Sequence, residues 1–199
     1  TTQRDLLTFT EKNLANLADG LVKDDVRVLR GVGSDIENTK NMWKRYRRKE
    51  ILGMRKIDPM QAVEKNTWFH LGCNSATQII YCLKRMLEPA LEHVDNNFTP
   101  LPAACAAELK AIISESVEYL ARMRQIIETG NFETADEVLV DGNALKARIS
   151  ELRHQQQERM QSEDSNIKVA LLYLNTLQEL QELISTSRHL LRAAKRFQK

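Results

Sequence analysis

Residues 68–101 read WFHLGCNSATQIIYCLKRMLEPALEHVDNNFTPL, and this stretch decides the fold. Its apolar residues recur at intervals of three and four: Ile79, Ile80, Leu83, Met86, Leu87, Ala90, Leu91 and Val94. That spacing predicts an α-helix with one continuous apolar face. The helix is predicted to end at the Asp-Asn-Asn sequence of residues 95–97, because these side chains compete for backbone hydrogen bonds and two prolines follow. The chain on either side of this stop is therefore predicted to form one half of a bundle.

The composition is that of a helical protein, with only seven Gly and four Pro in 199 residues. The net charge of +2 lacks the strongly basic balance of a nucleic-acid-binding domain, so we expect no nucleic acid partner. Cys73, Cys82 and Cys105 form no CxxC pair, which predicts buried thiols in a reducing cytoplasm. The uncharged run 66–83 contains too many polar side chains for a membrane span.

The remaining periodicity predicts six helices, over about 3–18, 25–52, 59–95, 102–129, 132–162 and from 165 onward. The expected helix starts are Asp24 or Asp25, the pair Asp58-Pro59, and a capping turn at 163–165. Gly31 and Gly33 predict a fray or bend in the second helix.

Six helices with short connections pack mainly as antiparallel neighbours. Acidic breaks at 18–25 and 128–136 each precede a long helix, which suggests an internal repeat. We therefore predict an all-α, elongated six-helix bundle, a tandem repeat of two three-helix units over residues 1–97 and 98–199, packed together as one domain.

The densest group of potential ligands lies at the stop itself: Glu92, His93, Asp95, Asn96 and Asn97. A histidine with two carboxylates could hold a metal ion or sense pH. The alternative is structural: the positive form of His93 complements the dipole of the helix C-terminus, while Asp95 and the two asparagines shape the turn. No second ligand cluster has a matching spacing, so the structural alternative is favoured and no metal is expected.

Other candidate sites are weaker. Glu151 and His154 match one Glu-x-x-His element of a di-metal bundle, but such sites need a second element that this sequence lacks. His70 and His189 are expected at helix surfaces or partly buried. The Gly31-Val32-Gly33 sequence has no third glycine at the offset of a phosphate-binding loop. No catalytic residues and no cofactor are therefore predicted, and the protein is not expected to be an enzyme.

The strongest charge run is KRYRRK at residues 44–49, and Arg55 and Lys56 follow it. Its cations, Lys44, Arg45, Arg47, Arg48 and Lys49, could contact the phosphates of nucleic acid or an anionic lipid surface. The simpler interpretation is a solvated helix face opposite the apolar seam, which is favoured here. Between the two anionic partners, lipid headgroups fit better, because a membrane surface attracts a local patch without requiring high overall charge.

The stretch EPALEHVDNNFTPL, residues 88–101, resembles the signature of PhoU-like domains fused behind bacterial sodium/phosphate symporters. The pattern of two three-helix units agrees with that family, and the resemblance extends over the whole chain. It implies a cytoplasmic helical domain that is tethered to a phosphate transporter or acts on it. The family's acidic metal-binding motif would align with residues 71–77, which contain no carboxylate. The family metal site is therefore not carried over.

These observations predict a non-enzymatic regulatory domain for sodium-dependent phosphate transport. It would be membrane-associated, at the cytoplasmic face of the inner membrane, and its partner would be the transporter's membrane unit in cis or in trans. Contact with the inner-membrane surface and a homodimer are left open. Two alternatives are kept: a free-standing metal-binding bundle, and a helical adaptor that binds anionic lipid or nucleic acid through its basic face.

Overall fold

The structure is a computed structural model that describes residues 2–54, 58–162 and 165–197. Within these residues the fold is all-α, as predicted, and contains six helices and no strand. The helices are α1 (Thr2–Val22), α2 (Val26–Met54), α3 (Pro59–Asp95), α4 (Ala103–Thr129), α5 (Ala135–Arg159) and α6 (Ile167–Arg196). The longest, α3, contains 37 residues. At 1.5 Å per residue it extends about 55 Å, so it spans the length of the bundle.

The helices pair in the same way in both halves of the chain. Helix α2 packs on α1 and α3, and α5 packs on α4 and α6. The halves then join through like helices, because α1 packs against α4 and α3 packs against α6. This arrangement is unchanged when residues 1–97 are exchanged with residues 98–199. The tandem repeat remains a prediction, and the pairing is what such a repeat would produce.

The predicted apolar seams form the core. In α3 seven of the eight periodic apolar residues are buried, and only Leu91 is partly exposed. The apolar seam of α6 is buried as well, and its residues are Tyr173, Leu177, Leu180, Ile184, Leu191 and Ala194. Residues from all six helices belong to one continuous apolar cluster. Because the halves share this core, neither half could leave the other without exposing its own apolar face.

Two ion pairs cross between the halves at the edge of this core. Arg85 Nε donates to Glu179 at 2.9 Å and joins α3 to α6. Arg124 Nε donates to Glu11 at 2.8 Å and joins α4 to α1. Both carboxylates are largely buried, since the Glu179 and Glu11 side chains are only 10% and 13% exposed. Removing either arginine would leave a buried charge without its partner, which is costly.

Most predicted helix ends are confirmed. The Asp25 carboxylate accepts from the backbone N–H groups of residues 27 and 28, and Asp58 accepts from the N–H of Met60, with Pro59 at the first helical position. Gly130 ends α4 with a left-handed φ of +68°. Of the predicted turn at 163–165, the first two residues lie outside the described part of the chain. The cap of α6 is Asn166, whose side chain accepts from the N–H of Val169.

Three local predictions are corrected. Helix α2 continues through Gly31 and Gly33 without a fray, and Gly33 packs against Leu87 of α3. Helix α1 continues past residue 18 to Val22, because Gly20 lies against Leu29 and its missing side chain makes room for α2. Helix α5 is shorter than expected and occupies Ala135–Arg159. In α1 and α2 packing between helices outweighs the local preference of glycine.

Candidate functional site

The signature turn, residues 92–99 between α3 and α4, has a defined hydrogen-bond pattern. The Asn96 backbone N–H donates to the Glu92 carbonyl at 3.1 Å, and the Asn96 side-chain amide donates to the same oxygen at 2.7 Å. Asn97 has a φ of +54°, and its N–H donates to the Val94 carbonyl. Asn is the residue that tolerates this left-handed conformation best after Gly. The two asparagines therefore satisfy the last carbonyls of α3 and reverse the chain.

His93 lies in the last turn of α3. It is buried, with 5% of its surface exposed, and its Nε2 lies 2.6 Å from the Thr99 carbonyl oxygen. A carbonyl oxygen only accepts, so Nε2 carries the proton and donates it. The ring also packs edge-on against Phe98, with centroids 5.5 Å apart. His93 thus fastens the chain after the turn to the last turn of α3.

The acidic residues of the signature turn face outward. Asp95 is exposed and accepts from Arg30 of α2 at 3.0 Å, which ties the end of α3 to its neighbour. Glu92 is exposed and lines a surface cavity of about 340 Å³ between the end of α3 and the start of α6. On the far wall Lys168 lies over the Phe98 ring, with Nζ 3.8 Å from its centroid, a favourable cation–π contact.

The arrangement of the signature turn is that of a structural joint. Among the residues that the structure describes, no group of three His, Cys, Asp or Glu side chains comes together as metal ligands would. His93 uses one ring nitrogen for the Thr99 carbonyl and Asp95 is paired with Arg30. What the turn can do chemically is connect the end of α3 to the start of α4 and present Glu92 beside a shallow cavity.

The predicted basic residues Lys44, Arg45, Arg47, Arg48 and Lys49 are all exposed on the last turns of α2. Lys44 and Arg47 line a cavity of about 210 Å³ between α2 and α3, and the structure adds Lys40 and Lys84 to its wall. Trp43 and Tyr81 provide its apolar surface. Among described residues its lining contains four cations and no carboxylate. Arg55 and Lys56 lie outside the described residues.

Sequence reasoning missed Lys40 and Lys84 as members of this cavity. Lys84 lies 40 residues after Lys44 in the chain and reaches it only because α3 folds back along α2. The sequence did contain a usable signal, since Lys40 precedes Lys44 by one helical turn and so shares its face. The contribution of α3 required the pairing of the two helices, which the run of charges does not encode.

The weaker candidates stay apart from these sites. Glu151 and His154 are exposed, and His154 pairs with Glu158 on the same helix at 3.3 Å. His70 and His189 are exposed, as the surface interpretation expected. The three cysteines are free and buried, which confirms their predicted burial. Burial raises the pKa of the Cys82 thiol to about 12, so this thiol stays protonated and unreactive at neutral pH.

The Glu179 and Glu182 carboxylates of α6 do not converge either. Glu179 is buried and paired with Arg85, whereas Glu182 is exposed. Among the described residues, no helix combines the length and apolar character that crossing a membrane requires. Neither protein-family models nor curated protein sequences give a match to this chain.

Proposed function

We propose that this chain is a non-enzymatic regulatory domain associated with sodium-dependent phosphate transport, acting at the cytoplasmic face of the inner membrane. Its partner is the membrane unit of a sodium/phosphate symporter, in cis or in trans. The domain acts by contact: it packs against the membrane unit or against a protein that reaches it. The tandem repeat of two three-helix units is part of the same proposal.

The observation that carries this proposal is the signature turn. Four of the residues that give the resemblance to PhoU-like domains have a specific role in the turn. Asn96 and Asn97 end α3, and His93 is hydrogen-bonded to Thr99 in the loop that follows. Asp95 joins α3 to α2 through its ion pair with Arg30. Motif residues that act together in one turn are better evidence for a shared fold than the same residue types without a common structural role. The symmetric pairing of the helices supports the same family.

Two further features suit a regulatory role rather than a catalytic one. One cluster of polar groups between helices is satisfied internally: Tyr173 donates to Glu108 at 2.8 Å, and Arg159 donates to both oxygens of the same carboxylate. The cavities described above are open and lie at the surface. Such surfaces favour recognition of a partner over the exclusion of water that chemistry requires.

Phosphate uptake in the native cell tests the proposal. The coding region for residues 1–199 is deleted in frame, and sodium-dependent uptake of radiolabelled phosphate is compared with that of cells carrying the restored chain. Uptake driven by sodium for an unrelated solute, such as proline, is the control. The proposal expects the rate of phosphate uptake, or its response to external phosphate, to change on deletion and to return on restoration. Identical phosphate uptake in all strains would contradict it.

A further inference from the structure

The connected ends of α2 and α3 project beyond the core. We call residues 44–53 of α2 and 58–67 of α3 the hairpin end. The last core layer consists of Trp43, Tyr46 and Phe69, whose rings contact one another in sequence. Helix α6 reaches this level, since Phe197 contacts Trp68. From Pro59 to Trp68, α3 continues for nine more residues, or about 14 Å.

No residue of the hairpin end whose burial is described is buried. Its large apolar side chains instead face solvent: Met60 is 83% exposed, Val63 67%, Leu52 55% and Ile51 41%. Single exposed apolar residues are ordinary on a protein surface, but four on one projecting element form a patch. The pairing of α2 with α3 does not require apolar side chains that face solvent, so these residues are expected to serve another purpose.

The same element carries the positive charge of the chain. The hairpin end contains six basic and three acidic residues, a net charge of +3. The whole chain has 29 basic and 27 acidic residues, so the remainder has 23 against 24, a net charge of −1. Lys44, Arg45, Arg47, Arg48 and Lys49 form no ion pair with a described carboxylate. The modest overall charge of the molecule therefore hides a strongly polarised distribution.

We propose that the hairpin end is a docking surface for an anionic lipid membrane. Exposed apolar side chains at its tip enter the boundary between headgroups and acyl chains, while the cations around them contact lipid phosphates. Long Lys and Arg side chains suit this arrangement, because their stems lie along apolar surface and their charges remain in the polar layer. The cavity between α2 and α3, with Lys40 and Lys84 on its wall, opens beside this surface and offers space for one phosphate headgroup.

Charge and apolar character together select the membrane over other partners. A second copy of the chain would bring two surfaces of net charge +3 together, and their repulsion opposes the contact. A nucleic acid would satisfy the cations but offers no apolar layer for Met60, Val63 and Leu52. An anionic bilayer satisfies both at once. The inference deepens the proposed function by naming the membrane-facing surface, and it can be tested without any transporter.

The test is binding of the full chain to lipid vesicles, measured by cosedimentation. Vesicles of phosphatidylcholine with phosphatidylglycerol are compared with vesicles of phosphatidylcholine alone. One variant removes charge, R45A/R48A, and one removes apolar surface, M60S/V63S. Their matched controls alter equally exposed residues elsewhere: R27A/K110A for charge and V140S/I167S for apolar surface. Circular dichroism verifies that every variant keeps its helix content.

We expect binding only to the anionic vesicles. Each cation near such a surface is worth about fivefold in partitioning, so R45A/R48A should weaken binding about thirtyfold. Loss of the Met60 and Val63 side chains should weaken it at least about tenfold. Both controls should bind like the unmodified chain, and added salt should weaken binding.

Several results would overturn the inference. Equal binding to both vesicle types would show that charge does not drive binding. Normal binding by R45A/R48A and M60S/V63S would show that the hairpin end is not the binding surface. A lipid-free dimer that dissociates on M60S/V63S substitution would show that a second copy covers the surface. Binding to duplex DNA that is lost in R45A/R48A but kept in M60S/V63S, without vesicle binding, would assign the cations to nucleic acid. Vesicle binding with unchanged phosphate uptake on deletion would instead sustain this inference and contradict only the proposed function.

Discussion

Replacing His93 tests whether the signature turn is a structural joint. His93→Ala removes the hydrogen bond to the Thr99 carbonyl, worth about 1 kcal/mol. It also removes the edge-on contact with Phe98, worth about 0.5–1.5 kcal/mol. The free energy of unfolding should therefore fall by about 2 kcal/mol. His93→Phe keeps the ring contact and loses only the hydrogen bond, and Thr99 is exposed enough for water to replace it. Its cost should be about 1 kcal/mol.

The assay is urea unfolding followed by circular dichroism at 222 nm. With a slope of about 2 kcal/mol per molar urea, the midpoint should fall by about 1 M for His93→Ala and about 0.5 M for His93→Phe. His154→Ala is the matched control, because His154 is exposed and contacts only Glu158, so its midpoint should barely move. The reasoning would be refuted by unchanged stability in His93→Ala. It would also be refuted if zinc stabilised the unmodified chain but not this variant, since His93 would then be a metal ligand.

Three further predictions concern backbone conformation, packing and pH. Asn97 has a left-handed φ, a conformation that strains Ala but not Gly. Asn97→Ala should therefore lower the free energy of unfolding by about 1 kcal/mol and Asn97→Gly should not, as measured by urea midpoints. Gly142→Ala places a carbon 2.8 Å from the buried Tyr119 ring, so despite a better helix propensity it should destabilise by about 1 kcal/mol in thermal unfolding. Hydrogen bonds from Arg159 hold the pKa of Glu108 below its ordinary value of 4.5. This lowered pKa stabilises the fold above pH 4.5, and the stabilisation is lost as the pH falls through the folded-state pKa. Below pH 4.5 the urea midpoint of Glu108→Gln should therefore fall less steeply with pH than that of the unmodified chain.

The helices and their buried faces were predictable because both depend on local sequence. The apolar period of α3 and the Asp-Asn-Asn stop place its end at the residue where it occurs, and the seam of α6 is buried throughout. Caps such as Asp58-Pro59 act within one turn of the chain, so they too can be identified without knowing the fold. Features that need only the nearest few residues are the ones that the sequence specifies directly.

Features that depend on distant residues were not predictable. The burial of His93 was not predicted, because its partner Thr99 lies beyond a turn whose path the sequence does not describe. The contact of Tyr173 with Glu108 joins residues 65 apart, and no periodicity indicates it. The projection of the hairpin end was likewise hidden. The periodic apolar residues of α2 and α3 predict contact with other helices, and only the lengths of the other helices show where that contact ends.

Binding of this chain to the membrane unit of the sodium/phosphate symporter from the same cell tests the central claim most directly. The membrane unit is placed in nanodiscs of phosphatidylcholine alone, which minimises attraction to lipid, and empty nanodiscs of the same lipid give the background. The account predicts saturable binding with a stoichiometry of one chain per membrane unit and none to empty discs. Equal signals from loaded and empty discs at every concentration would contradict it.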